Sequence, residues 1–293
     1  MRKNLFILVW ISLIFVFVAP VFASTPVLLN FREVKPVETA TASLAFSLPL
    51  DEVERISFEH TDIIDQNSGR IIPADRISFT YQRQTVSPGQ ALEFAPARLA
   101  AGNPSSEQTG NFAINIKFLP SDPPGKYEGT IYALAQTAGG EVQRIPLILK
   151  INVLPWIKLR TAVPQQQLVI DEIPFRGETE LKSRQPVRIL IASNASWELY
   201  MKIENMLTGK TEPVPIELHV HPSANYTGFN NRFDQHEGYK LIAAGPPTVA
   251  GTGPEHAGYW TELVFSASIP QAHQYPTGQY SFGLSFYGIP LEP

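Results

Sequence analysis

The chain contains no cysteine. That excludes disulfides, thiol catalysis and Cys-ligated metal, and leaves burial to hold its 293 residues together. Apolar runs long enough to span a bilayer are absent after the first two dozen residues. Basic excess is absent too, with 23 Lys plus Arg against 27 Asp plus Glu. Nucleic-acid binding, which needs a cationic surface to displace counterions, is therefore disfavoured. Neither Gly-x-Ser-x-Gly, His-Glu-x-x-His nor a Gly-x-x-x-x-Gly-Lys phosphate loop occurs, so no hydrolase or nucleotide-binding signature and no cofactor are expected.

What the chain has in plenty is an export address. "MRKNLFILVWISLIFVFVAPVFAS" pairs a basic start (Arg2, Lys3) with an apolar stretch from Leu5 to Phe22 and a small-residue cleavage pattern, Val21-Phe22-Ala23. It reads as a signal peptide over residues 1–23, and as a membrane anchor only if it is not cut. Losing Arg2 and Lys3 leaves 21 basic residues against 27 acids, a net charge of about −6. Cysteine-free and exported, the chain is expected in the periplasm or on the surface of a bacterium.

Strongly periodic helical stretches are hard to find, whereas period-two alternation is frequent. Ile114, Ile116 and Phe118 oppose Asn115 and Lys117, and Ile145, Leu147, Leu149, Ile151 and Val153 oppose Lys150 and Asn152. Further on, Ile216, Leu218 and Val220 oppose Glu217, His219 and His221, and Tyr280, Phe282, Leu284 and Phe286 oppose Ser281, Gly283 and Ser285. Short alternating runs between Pro, Gly, Asn and Ser clusters predict an all-β antiparallel sandwich.

The two halves follow one script. "DPPGKYEG" (Asp122 to Gly129) and "YPTGQYSFG" (Tyr275 to Gly283) both enter a strand through a glycine with tyrosine two residues later, after an alternating strand that ends in Pro. Duplication at this period predicts one domain over 24–154 and a second over 155–293, joined at Leu154-Pro155, where proline interrupts a strand. Gly125 and Gly278 are expected to permit the turn, while Tyr127 and Tyr280 pack inward with the hydroxyl on loop backbone. Asp122, Gly125 and Tyr127 together resemble the tyrosine corner of immunoglobulin-like sandwiches. At fold level the chain thus resembles exported bacterial tandem immunoglobulin-like proteins, which implies two such sandwiches, a central Trp197 in the second core, and no catalytic residues. Gly129 and Phe282 stand where antibody domains carry a cysteine.

The copies differ at their ends. After Tyr127 come the rest of that strand, a turn at Thr137-Ala138-Gly139-Gly140 and a long final strand, Glu141 to Val153; after Tyr280 the sequence reaches Pro293 with no matching last strand. Three explanations stand: "WIKLRTAVPQQQLVIDEIPFRGE" folds over the vacant edge or the domain has fewer strands; the edge accepts a strand from a partner or a second copy; or the C-terminus is truncated. The second makes the chain a non-enzymatic binding or structural protein, such as a surface or pilus-like assembly component.

Two other clusters offer chemistry. Tyr226, Phe229, Phe233 and Tyr239 lie among amides and glycines on a long loop and suit glycan or protein contact, unless they form a satellite core. His219 and His221 share a strand face with Glu217, and could hold zinc with His236 or Asp234 as a third ligand, which would make the chain a metal-dependent enzyme, although His-x-His is also an ordinary solvated face. Asn194-Ala-Ser and Asn225-Tyr-Thr match glycosylation sequons, which mean little in a bacterial protein.

Overall fold

Strands form where alternation lets one face be buried. The computed structural model describes residues 25–50, 53–59, 61–87, 89–94, 109–161, 167–170, 180–183, 185–207, 216–221, 227–228, 232–233, 238–248, 259–271, 274–275 and 280–292. Residues 1–23, where a signal peptide is expected, lie outside them. No helix among the described residues is long and apolar enough to cross a membrane.

The strands up to Val153 are β1 (Val27–Val34), β2 (Ala40–Pro49), β3 (Val53–Phe58), β4 (Ile63–Asp65), β5 (Ile71–Ile72), β6 (Ile77–Tyr81), β7 (Gln84–Val86), β8 (Ala91–Glu93), β9 (Thr109–Phe118), β10 (Gly125–Thr137) and β11 (Val142–Val153). They build one sheet in the order β1-β11-β10-β3-β8, with β4 and β5 attached through β10, facing a second in the order β2-β9-β6-β7. All pair antiparallel except β1, which runs parallel to β11. On β11 the inward side chains Ile145, Leu147, Leu149, Ile151 and Val153 are buried. Phe112, Ile114, Ile116 and Phe118 of β9 meet them from the other sheet. Stacked Phe58 and Phe79, one from each sheet, lie at the centre with ring centroids 3.6 Å apart.

The later strands are β12 (Ile157–Thr161), β13 (Gln167–Ile170), β14 (Glu180–Lys182), β15 (Val187–Ser193), β16 (Trp197–Leu207), β17 (Ile216–His221), β18 (Thr227–Gly228), β19 (Arg232–Phe233), β20 (Lys240–Gly245), β21 (Thr261–Pro270) and β22 (Tyr280–Pro290). Here too there are two sheets, β12-β15-β21-β17-β19 with β14 beside β21, and β13-β22-β16-β20-β18. Trp197, Leu199, Met201 and Ile203 of β16 are buried against Ile189, Ile191, Leu263 and Phe265. The chain is all-β, and no pairing among the described strands crosses Leu154-Pro155.

The two halves are nevertheless bonded together at that point. Asn194 Oδ1 accepts the Trp156 N–H at 2.8 Å, and its amide nitrogen donates to Asp122 O at 2.9 Å and Leu154 O at 3.3 Å. Trp156 is fully buried, stacks on Tyr259 with the ring planes 1° apart, and donates Nε1–H to Pro120 O. Val37 of the first half packs on the same cluster. Burial, with the Asp122 carboxylate nearby, pushes the Tyr259 hydroxyl far above its ordinary pKa. One side chain therefore satisfies groups from both halves, and it is the asparagine of a sequon, buried and fully used in the joint.

Replacing it leaves buried donors and acceptors unpaired, at roughly 1–3 kcal/mol for such a group. Asn194→Ala is expected to lower the unfolding free energy of the full chain by about that amount, read from urea denaturation; an unchanged midpoint would show that the joint does not depend on this amide.

Candidate functional site

The tyrosine corner of the first half is built around two buried carboxylates. Tyr127 is wholly buried and its hydroxyl donates to Pro123 O at 2.8 Å. Burial first, then the charges of Asp122 and Asp65, raise its pKa well beyond the ordinary phenol range. Asp122 accepts from Arg76 Nη1 at 2.6 Å and from the Leu119 N–H at 2.8 Å. Asp65 accepts from the Ser68 N–H and hydroxyl.

Gly125 does not play the turn-forming part expected of it. It is the first residue of β10 and is not among the glycines with positive φ. Its missing side chain matters because a Cβ there would come within 3.0 Å of the Asp65 carboxyl carbon. Close approach to a buried carboxylate, rather than a left-handed backbone, is what requires glycine. Gly278 and the side chain of Tyr280 lie outside the described residues.

The expected loop and histidine clusters are placed only in part. Tyr226 and Phe229 lie outside the described residues, as do His236, Asp234 and the side chains of Phe233 and His221. Phe233 contributes backbone to β19, opposite Ile216. His219 is exposed and its Nε2 lies 3.0 Å from Ser268 Oγ. No group of three or more His, Asp or Glu that could hold a metal occurs among the described residues. Tyr239, about half exposed, is brought within 6.1 Å of Tyr287, ring centroid to centroid. Nothing in the local sequence of either tyrosine signals this pair, which depends on the register of β20, β16 and β22.

The vacant edge is partly filled from within the chain. β13 pairs antiparallel with β22, Ile170 opposite Tyr280 and Leu168 opposite Phe282. In the first half the matching pairs are Ile151 with Tyr127 and Leu149 with Gly129. β13 thus stands in for Ile148–Ile151, and comes from the segment expected to fold over the edge. Beyond Gly283 the substitution stops. Among the described residues no strand pairs with Leu284–Pro290 on the side away from β16.

That stretch looks different from its counterpart. Counting from the corner tyrosines, Leu284 and Phe286 correspond to Ile131 and Ala133, which lie beside Leu147 and Ile145 and are fully buried. Leu284 and Phe286 pack on the core but are only half-buried. Farther along, Gly288 lets β12 close in, since a Cβ there would lie 2.7 Å from Ile157 Cδ1. Among the described residues the unpaired length therefore begins at Leu284, where β13 ends.

The Asp65 carboxylate gives the first half a titratable support. Burial disfavours its charge, but hydrogen bonds from the Ser68 side chain and backbone and from the N–H groups of Asn67 and Lys126 outweigh this and hold its pKa below the ordinary 3.8. A depressed folded pKa contributes stability that is complete above the unfolded value and is lost as pH falls through the folded one. Urea unfolding at stepped pH is expected to show stability falling below about pH 4, with a shallower fall in Asp65→Asn; parallel slopes would remove Asp65 from this role.

No protein-family model matches the chain, and no curated protein matches it. Solved structures that it resembles include the complex of the chaperone CsuC with the tip adhesion subunit CsuE from the archaic chaperone-usher Csu pili of Acinetobacter baumannii. The likeness covers 90% of this chain and 99% of that one at 12% identity, with a TM-score of 0.40. A chaperone–tip adhesin complex of CFA/I fimbriae biogenesis is similar over 92% of this chain and 98% of that one, at 10% identity and a TM-score of 0.31. The CupB6 tip adhesin of Pseudomonas aeruginosa is similar over 85% of this chain and 86% of that one, at 11% identity and a TM-score of 0.27. Likeness this loose is not a basis for assigning function.

Proposed function

We propose that the chain is an exported, non-enzymatic protein of two sandwich domains, residues 24–154 and 155–293, which takes part in an assembly by accepting a β-strand along β22. The observation that carries this reading is the pairing of β22. Its first four residues are matched by β13, while Leu284–Pro290 present one edge with no described partner and leave Leu284 and Phe286 half-buried.

An extended peptide placed there gains main-chain hydrogen bonds from the edge, and alternate side chains complete the core. The chemistry of the missing piece is written in the first half. Val142–Leu147 supplies the strand at the matching place on β10, with Ile145 and Leu147 inward. An incoming segment is thus short, runs antiparallel to β22, and carries apolar residues two apart facing Leu284 and Phe286. Full burial of a Leu or Phe side chain is worth roughly 1.5–3 kcal/mol, so covering two half-buried ones is a sizeable reward against the few kcal/mol that keep a domain folded.

A peptide copying Glu141–Val153, added to the purified full chain, is expected to raise the melting temperature by several degrees. In Phe286→Asp, which keeps the edge but spoils the apolar slot, the shift should disappear. Light scattering on the same samples separates peptide capture from self-association. A monomer whose melting temperature ignores the peptide would overturn the proposal.

A further inference from the structure

The second half carries an aromatic surface that strand addition does not use. On β16 the buried residues are Trp197, Leu199, Met201 and Ile203, so Glu198, Tyr200 and Lys202 lie on the opposite, outer face. Register sets Ile289, Tyr287 and Ser285 of β22 beside these three. Tyr239, just before β20, reaches the same face and meets Tyr287 with ring planes 59° apart. Tyr239 and Tyr287 are 49% and 56% exposed, the most exposed aromatic side chains among the described residues.

We propose that this face binds a neutral oligosaccharide, with Tyr239 and Tyr287 as stacking surfaces and Glu198 as a hydroxyl acceptor. Pyranose rings present flat C–H faces that pack on exposed aromatic rings, and their rim of hydroxyls needs closely set donors and acceptors. Both are available here. The Tyr239 and Tyr287 hydroxyls have no protein partner among the described residues. Glu198 is held by the Tyr200 hydroxyl, which donates to its Oε2 at 2.6 Å, leaving Oε1 to accept from a ligand. Two tilted rings form a shallow corner rather than a slot, which fits a chain of sugars lying along the sheet.

Charge narrows the ligand class. Glu198 and Lys202 flank the rings on one strand, so the face is close to neutral, and the chain as a whole is acidic. An anionic glycan gains nothing from such a surface, and stacked nucleobases would need the cationic groove that is missing. The site shares β22 with the edge proposed to accept a strand but lies on the outer face of the sheet. Tyr287 points outward, whereas Leu284 and Phe286, the residues a strand would cover, pack inward on the core. Either site can fail without the other.

The test is calorimetric titration of the full chain with cellohexaose, mannohexaose and chitohexaose at millimolar concentration. At least one is expected to bind, with Tyr239→Ala and Tyr287→Ala each weakening the affinity about tenfold and leaving the melting temperature unchanged. Tyr132→Ala, on the outer face of the first half, is the control and should bind as the parent does. Absence of heat with all three sugars, or binding that survives both tyrosine substitutions, would overturn the proposal. So would finding that the two substitutions abolish self-association of the chain instead, since the face would then be a protein contact.

Discussion

A strand in a sandwich has to bury one face and to satisfy both of its edges, and without disulfides nothing else holds these sheets together. The first half meets both demands. β11 lies between β1 and β10, and its five inward side chains are covered by the facing sheet. In the second half the same demands fall on β22, which receives β16 along its length and, among the described residues, β13 along four. Half-buried Leu284 and Phe286 are the direct result, because a core side chain is roofed partly by its neighbour one strand over. The edge and the incompletely covered core are thus one feature seen in two ways.

The joint gives that feature a fixed place. Asn194 bonds both halves, and Trp156 and Tyr259 stack beneath it with Val37 of the first half. Polar atoms buried at a boundary cost more unpaired than they return when paired, so the joint favours one arrangement over others. Asp122 serves twice, its carbonyl in the joint and its carboxylate in the corner with Arg76. The corner that begins β10 and the join between the halves are consequently a single bonded region.

Much of the fold was legible in the sequence because burial imposes period two. Ile145, Leu147, Leu149, Ile151 and Val153 show it, as do Ile114, Ile116 and Phe118, and each of these side chains is buried. The pairing of β22 was not legible: Gln167–Ile170 is a four-residue strand whose place beside β22 depends on tertiary placement. The role of Gly125 is not legible, because a glycine needed for close approach to Asp65 looks the same in sequence as one needed for positive φ. Asn194 matches a sequon, and nothing in that match shows that its amide is spent on partners distant in the chain. Tyr287 and Tyr239 become neighbours only through strand register, so clustering of aromatics along the chain points to Tyr239 but not to Tyr287.

The central claim is that the outer edge of Leu284–Pro290 is unpaired in the isolated protein. Hydrogen exchange resolved to single amides tests it most directly, comparing this stretch with Ile131–Thr137 of β10 in the same sample. The account predicts that amides of β22 not bonded to β16 exchange much faster than their counterparts, which are held between β11 and β3. Equal protection in the two stretches would mean that the edge is already occupied, and would contradict the account.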